Sequence, residues 1–429
     1  MTRFQLIFTT ILIALGVGGV ILFAVSKNSA SKGAAPIVMW GTLDQEAMTN
    51  FLSKENQANK NTLNVSYVKK DPQTFESDLI SALARGSGPD LILLPQDLIL
   101  KQLDKFYVVP FANYSQRSFM DAFIQEGELY LTKDGVVGLP FTVDPMVMYW
   151  NRDIFSNAGV AVPPTSWTQF FDLAPKVTVK DDNGNVTQSL VAFGESANVT
   201  HFKDMLALLA MQAGTSIVGT DRQGNLGSVL SARGADGMVP GEEALSYYTE
   251  FSNPLKSSYS WNRSLPNDKA AFIGGKLAVY FGYASELQSI RNGNPNLNFD
   301  VALMPQTEGK KMTFGNMDAI AILKASRNVA AAYTAAVALT SESLETDWQT
   351  ISGLPPVRRA LLSPLPSDAY NSIFYQSALI SNAWLDPNRE ATIDTMSNLI
   401  ENVTSGRLRI SEAVDRANQE IGALLKSNQ

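Results

Sequence analysis

Two residue types that often carry chemistry are nearly missing from this chain of 429 residues: it has no cysteine and only one histidine, His201. Without cysteine there is no disulfide, and a lipid-modified cysteine cannot tether the chain to a membrane. With one histidine, the chain lacks the parts of a histidine-rich metal site or of a Ser-His-Asp triad built in the usual way. We therefore expect no metal and no other cofactor.

Motifs that bind phosphates or position a nucleophile are missing as well. The chain has no Gly-x-Ser-x-Gly, no Gly-x-x-x-x-Gly-Lys-Ser/Thr and no Gly-x-Gly-x-x-Gly after a predicted strand. Its formal net charge is -7 at pH 7, whereas a nucleic-acid backbone requires a basic face. These features argue against a nucleotide-dependent enzyme and against a nucleic-acid partner.

One long apolar run is present, at residues 4–25, between Arg3 and Lys27. As a helix it spans roughly 30 Å, which matches the hydrocarbon core of a bilayer. A cleaved signal peptide is the alternative, with Ala24-Val25-Ser26 as a weak cleavage site. The length of the run favours an uncleaved single-pass membrane anchor at residues 1–26. A flexible linker of small and polar residues follows at 27–35, and the body of the protein would lie outside the cell or in the periplasm.

The body, from residue 36 onwards, is too long for one ordinary core and predicts two or more compact units. Short apolar runs at residues 37–40, 63–68 and 91–94 alternate with segments of helical periodicity. This order predicts an α/β fold with a parallel sheet and helices on both faces. Later elements are predicted as a helix at 202–211, a strand at 276–281, a hairpin around Asn183-Gly184 and an amphipathic helix at 410–425.

Polar side chains follow the ends of two of these strands. Trp40 and Asp44 come after the first, and Asp97 comes after the third. In open α/β sheets, ligands bind beyond the carboxyl ends of the strands. These three residues are therefore candidates for one edge of a binding cleft, although Trp40 fits equally well as a core aromatic residue.

Several segments, taken in order, resemble the family 1 extracellular solute-binding proteins of ATP-driven (ABC) importers, the maltose-binding-protein type. The resembling segments are residues 37–44 with Trp40, Gly88-Pro89-Asp90 with the strand that follows, Gly138-Leu139-Pro140-Phe141, residues 148–155, Pro163-Pro164-Thr165-Ser166-Trp167, residues 271–279 with Gly274-Gly275, and residues 353–358 with Gly353-Leu354-Pro355. Together they extend over residues 36–429.

The resemblance implies a two-lobed, periplasmic-binding-protein-like fold of type II, with a hinge and a ligand cleft between the lobes. Lobe 1 would comprise residues 36–142 and 302–341, and lobe 2 residues 143–301 and 342–429. Closure of the lobes around a ligand would be the state that a membrane permease recognises. We expect a monomer that works with ABC permease subunits.

The resemblance also suggests which residues touch the ligand. It places Asp144 beside the hinge, in contact with a sugar hydroxyl. Tyr283 would pack on the ligand, one position away from the tryptophan of the maltose type. The remaining candidates are small or turn-forming positions, which equally fit ordinary turns: Gly282, Asn316, Gly353 and Leu354.

These residues predict a carbohydrate ligand, most simply an oligosaccharide, because aromatic faces stack on sugars while carboxylates and amides hold their hydroxyls. Two alternatives stay open. A secreted glycosidase needs only two carboxyl groups at a suitable separation, which Asp97 and Asp144 could provide. A sensory receptor would bind the same ligand and pass its closed state to a signalling partner.

Overall fold

The computed structural model describes residues 33–427, which form 14 strands and 15 α-helices. The strands are β1 (Ile37–Gly41), β2 (Val65–Lys69), β3 (Leu91–Pro95), β4 (Val109–Pro110), β5 (Gly135–Val136), β6 (Gly138–Asn151), β7 (Val179–Lys180), β8 (Val186–Val191), β9 (Val218–Thr220), β10 (Leu226–Ser228), β11 (Leu277–Tyr283), β12 (Phe299–Ala302), β13 (Thr313–Ile322) and β14 (Ser381–Asn382). The helices are α1 (Gln45–Ala58), α2 (Phe75–Ala84), α3 (Ile99–Gln102), α4 (Gln116–Ala122), α5 (Arg152–Asn157), α6 (Gln169–Val177), α7 (Phe202–Ala213), α8 (Pro240–Glu250), α9 (Asp268–Ile273), α10 (Leu287–Gly293), α11 (Val329–Leu339), α12 (Glu342–Ser352), α13 (Ala369–Leu379), α14 (Arg389–Thr404) and α15 (Ile410–Ser427).

The apolar run at residues 4–25 lies outside the described residues. Among residues 33–427, no helix combines the length and the apolar character that crossing a membrane would need.

The first core forms around β1, β2 and β3, which pair in parallel as their alternation with helices predicted. β3 is buried along Leu91, Ile92, Leu93 and Leu94, as expected of a strand covered on both faces. α1 begins at its N-cap Asp44 and turns Phe51 and Leu52 into this core. The α/β fold that the sequence predicted is thus confirmed in this part of the chain.

Two long strands connect the first core with the second. β13 pairs antiparallel with both β3 and β6, so the sheet is mixed rather than purely parallel. Along β6, Val143 packs in the first core and Met146 in the second; along β13, Met317 packs in the first and Phe314 in the second. Both strands therefore cross between the cores at the same level, where Asn316 pairs with Asp144.

The second core is built on the other half of the same sheet. β11 pairs antiparallel with β6 and parallel with β8, while β12 pairs with the end of β6. α7, α8, α14 and α15 supply apolar residues on one face, and a smaller cluster around Phe272 and Tyr280 covers the other. The helix predicted at 202–211 is α7, and the predicted C-terminal helix is α15. The predicted hairpin forms between β7 and β8.

One segment assigned by sequence to lobe 2 contributes to the first core instead. Leu344 and Trp348 of α12, and Val357 after it, belong to that core, and Trp348 stacks on Phe141 of β6 with 5.4 Å between ring centroids. The other end of the segment, α13, packs on both halves of the molecule. Its Tyr375 belongs to the first core, whereas its Phe374 belongs to the smaller cluster around Phe272 and Tyr280. The packing favours a boundary between the lobes near α13, and the exact partition into lobes stays a prediction.

Candidate ligand-binding cleft

A cavity of about 390 Å³ lies where the two cores meet. It is bordered by the chain just after β3, by the crossing point of β6 and β13, and by the starts of α7 and α14. Its lining residues are Asp97, Asp144, Thr200, His201, Phe202, Lys203, Asp204, Tyr283, Ser285, Glu286, Asn316, Arg389 and Ile393. The position is the one where α/β sheets bind ligands, since strands end and helices begin there.

The floor of the cavity carries Asp144 on β6 and its register partner Asn316 on β13. Asp144 Oδ1 accepts a hydrogen bond of 3.0 Å from the backbone N–H of Ser285. Burial raises the pKa of Asp144 to about 6, although the hydrogen bonds from Ser285 oppose that shift. Since this pKa lies closer to neutral pH than that of an ordinary aspartate, the carboxylate accepts hydrogen bonds at neutral pH and can donate one when it is protonated at mildly acidic pH.

An ion pair links the two sides of the cavity. Asp97, in the short 3-10 helix Gln96–Leu98 after β3, lies 3.1 Å through its Oδ2 from Nη1 of Arg389, the first residue of α14. Burial raises the pKa of Asp97, while the charges of Arg389 and Lys203 oppose that rise. Because β3 belongs to the first core and α14 to the second, this pair joins the lobes directly.

The far wall is a hydrogen-bonded cluster around Tyr283 and Glu286. The Tyr283 hydroxyl donates to Asp204 Oδ2 at 2.7 Å, and the His201 ring meets the Tyr283 ring edge to face at 4.8 Å. Glu286 lies 2.7 Å from His201 Nε2 and 2.6 Å from Lys269 Nζ. Burial alone would raise the pKa of Glu286, but His201 and Lys269 outweigh it and lower the pKa to about 2.

Lys203 is the remaining cation of the wall, and it is already paired. It is 9% exposed, and its ammonium forms a short ion pair with Asp386, which also accepts a hydrogen bond of 2.9 Å from the Thr392 hydroxyl. Since Arg389 and Lys203 are both paired with carboxylates, the cavity presents no free cation among the side chains that line it. An anionic ligand would have to compete with those carboxylates.

Four of the residues selected from the sequence line this cavity, namely Asp97, Asp144, Tyr283 and Asn316. A fifth, Gly282, lies directly behind the wall rather than on it. A Cβ at Gly282 would come within 2.4 Å of the Tyr280 ring, so this glycine is required by packing.

The other four do not line the cavity, for physical reasons that the sequence did not reveal. Trp40 is partly buried against the first core with Lys70 Nζ 3.8 Å above its ring. Asp44 is exposed and caps α1 by accepting from the Ala47 N–H at 2.9 Å. Gly353 ends α12 with φ of 71°, and Leu354 packs against the smaller cluster of the second half.

The sequence prediction missed the residues at the starts of two helices, His201 to Asp204 before and within α7, and Arg389 at α14. A lone histidine and scattered charges carry no local motif. Only their positions could have indicated these residues, because each lies at the start of a helix. No group of three or more His, Cys, Asp or Glu side chains within residues 33–427 is arranged to hold a metal ion.

The chain is similar in sequence to known binding proteins. Residues 47–372 match the sequence model of a family described as bacterial extracellular solute-binding protein. A binding protein of Brucella abortus (strain 2308) is 23% identical over 372 residues, covering 85% of this chain and 86% of the relative.

Solved structures share the fold at low identity. The sugar-binding protein MalE from Xanthomonas citri superimposes with a TM-score of 0.74 at 17% identity, covering 92% of this chain and 98% of the other. The cyclic alpha-maltosyl-1,6-maltose binding protein from Arthrobacter globiformis also gives 0.74, at 15% identity, covering 92% and 100%. The two-lobed solute-binding architecture is therefore shown for this chain.

Proposed function

This chain belongs to the bacterial extracellular solute-binding protein family, and we propose that it captures a carbohydrate between its two lobes and delivers it to an ABC-type permease. The observation that supports a carbohydrate as the ligand is the set of side chains that line the cavity. Carboxyl and amide groups from Asp97, Asp144 and Asn316 face groups from α7, β11 and α14 across the cavity.

Such a wall suits a neutral ligand rich in hydroxyl groups. Each hydroxyl can donate to a carboxylate and accept from an arginine or a backbone N–H. The two lining cations, Arg389 and Lys203, are already paired with carboxylates, which disfavours phosphate esters and other anions. Structures that share this fold include proteins named for sugars they bind, which supports the same ligand class.

The delivery step follows from the construction of the cleft. Because the cavity is bordered by both cores, a ligand that touches both sides stabilises the closed form, and only a ligand with different affinities for the open and closed forms shifts the balance. We propose that the closed form engages the permease. We also propose that the apolar run at residues 4–25 anchors the body to the membrane, since the chain has no cysteine to carry a lipid anchor.

Isothermal titration calorimetry of residues 27–429 tests the ligand class. The panel contains neutral mono- and oligosaccharides, with a polyamine, a peptide and a phosphate ester as competing classes. We expect binding within the sugar series only. Binding of the peptide, the polyamine or the phosphate ester, with no response to any sugar, would refute the carbohydrate assignment.

Asp144→Asn tests whether the floor of the cavity contacts that ligand. Hydrogen bonds to a charged group are worth more than those to a neutral one, so we expect the sugar affinity to fall about tenfold, which corresponds to about 1.4 kcal/mol. Asp121→Asn, an identical change at an exposed site of α4, should leave the affinity unchanged. Equal affinities in all three proteins would exclude Asp144 from the site.

A glycosidase remains the alternative that one observation favours, since the raised pKa of Asp144 is a property of general acids in such enzymes. Incubation with aryl glycosides distinguishes the two functions. We expect binding without release of product. Release that disappears in Asp97→Asn or Asp144→Asn would identify an enzyme instead.

A further inference from the structure

One ion pair joins the two lobes across the cleft. Among the ion pairs of residues 33–427, that of Asp97 with Arg389 is the one whose partners belong to elements of different cores. The other pairs each lie within one half of the molecule. Direct attraction between opposite charges of the two lobes is therefore concentrated at this point.

Arg389 is held on a fixed base in the second core. It begins α14, and the chain just before that helix is tied to α7 by the ion pair of Lys203 with Asp386, whose side chains are only 11% and 4% exposed. The Thr392 hydroxyl, one turn further along α14, donates to Asp386 Oδ2 at 2.9 Å. The first turn of α14 is thus fastened to the second core, and Arg389 moves with it.

Asp97 is fixed to the first core in a comparable way. Its neighbour Gln96 is 6% exposed. The Gln96 side chain donates to the Gly315 carbonyl at 2.7 Å and accepts from the Met317 N–H at 3.2 Å, so the short helix that carries Asp97 is tied to the crossing strand β13. Because the pair borders the cavity between the cores, a rotation that opens the cleft separates the carboxylate from the guanidinium.

The contact is short but open to solvent. Asp97 Oδ2 and Arg389 Nη1 are 3.1 Å apart, while the side chains are 21% and 62% exposed, respectively. An ion pair exposed to this degree stabilises the state in which it forms only modestly, and salt screens it. Both partners are side chains of this chain, so the contact needs no ligand atom. Such a pair can shift a balance between open and closed lobes without fixing either form.

We propose that the Asp97–Arg389 pair is an electrostatic latch, which favours the closed arrangement of the lobes before a ligand binds and makes the balance of open and closed forms depend on ionic strength. The inference uses the closure of the lobes but not the identity of the ligand. A ligand that touches both lobes completes the closure. The latch reduces the difference in affinity between the two forms that this ligand must supply.

Energy transfer between two labels tests the latch in the full-length chain, with no sugar added. Val68→Cys in β2 and Leu255→Cys after α8 provide exposed sites on different cores of a chain that has no cysteine of its own. Arg389→Met keeps an unbranched side chain but removes the charge. The matched control is Arg407→Met, because the Arg407 side chain is also 62% exposed and forms its ion pair, with Glu401 at 3.8 Å, inside the second core.

At low salt we expect Arg389→Met to lower the ratio of closed to open forms about two- to fivefold, whereas Arg407→Met leaves it unchanged. Asp97→Asn should open the cleft by the same factor, and the double variant should open it no further, since all three remove the same pair. Raising NaCl to about 1 M, where the Debye length is about 3 Å, should open the unchanged protein and the control but not Arg389→Met.

The latch would be overturned if Arg389→Met showed the same transfer as the unchanged protein, or the same response to salt. A fall in transfer of equal size in Arg407→Met would also overturn it. These outcomes leave the carbohydrate assignment intact, because that assignment is tested by calorimetry with sugars and not by the separation of the lobes in their absence.

Discussion

At the scale of single residues, the most unusual group near the cleft is Glu126. It is fully buried, its Oε2 hydrogen bonds the Ser381 hydroxyl, and its Oε1 has no hydrogen-bond partner. A Cβ at Gly315 would lie 2.1 Å from Oε2, so only glycine fits beside this carboxyl. Burial raises the pKa of Glu126 to about 8, although the Ser381 hydrogen bond opposes that shift. A neutral carboxylic acid therefore lies next to the strand that joins the cores.

This pKa predicts how the stability of the protein depends on pH. The folded-state value of about 8 lies above the ordinary value of 4.5, so between these values the folded state holds a proton that the unfolded state releases. The free energy of unfolding should then fall as pH rises from about 4.5 to about 8. Glu126→Gln cannot ionise, so its melting temperature should fall less over this range than that of the unchanged protein.

The measurement is thermal unfolding at several pH values, and the slopes of melting temperature against pH are compared among the variants. Replacing Oε1 by an amide leaves a donor without a partner, and this lowers the stability by the same amount at every pH. The difference in slope between Glu126→Gln and the unchanged protein therefore reports only the lost ionisation. Glu46→Gln, at an exposed position in the first turn of α1, is the control and should keep the slope of the unchanged protein. Parallel slopes for all three would show that Glu126 is ionised in the folded state.

At the scale of secondary-structure elements, Gly353, one of the ligand contacts expected from the sequence, lies at the end of a helix. It follows α12 with φ of 71°, in the left-handed region, and its N–H bonds to the Gln349 carbonyl. This is the usual role of a glycine just after a helix. Gly353 does not line the cavity between the cores, and the helix that it ends packs on α1 in the first core.

We expect Gly353→Ala to lower the free energy of unfolding by about 1 kcal/mol, the cost of a left-handed conformation for a residue with a Cβ. Sugar affinity should not change. Denaturant unfolding and calorimetry measure the two quantities. Gly227→Ala in β10, where no atom lies within 4 Å of the added Cβ and φ is not positive, should change neither. Loss of sugar affinity in Gly353→Ala alone would place this turn at the binding site after all.

At the scale of the whole molecule, two cores share one sheet, and among the strands of residues 33–427 only β6 and β13 carry the sheet from one core to the other. Crossing strands allow one core to rotate relative to the other with little change in packing. We therefore expect the closure that the proposed function requires to be a movement about the crossing point of β6 and β13, where Asp144 pairs with Asn316.

Closure can be measured with fluorescent labels because the chain contains no cysteine. Cysteines introduced at Val68 in β2 and at Leu255 after α8 are both exposed and belong to elements of different cores. Energy transfer between labels at these positions should increase when a bound sugar closes the cleft. No change at saturating sugar would exclude closure between these two points.

A second labelled pair tests the assignment of α12 to the lobes. Val68→Cys with Ile351→Cys joins β2 to an exposed position of α12, both of which pack on the first core. Transfer between these labels should stay constant when sugar is added. A change equal to that of the first pair would return α12 to the second lobe, as the sequence had suggested.

Sequence alone determined the class of fold and four of the residues of the cavity. Strands such as 91–94 are apolar throughout, and the helices repeat apolar residues every three or four positions, so both are encoded locally. Asp97 follows the end of a strand, which a local pattern marks, whereas Asp144, Tyr283 and Asn316 were expected from the resemblance to the solute-binding family.

Only the tertiary structure decided which charges meet. Arg389 and Asp97 are almost 300 residues apart in the chain, and no local pattern connects them. They meet where the two cores adjoin, because Asp97 follows β3 of the first core and Arg389 begins α14 of the second. Trp40, Asp44 and Gly353 do not line the cavity, since they are occupied by packing, capping and a helix end, respectively. Long-range strand pairing is set by the summed burial of two cores, and a single segment does not contain that information.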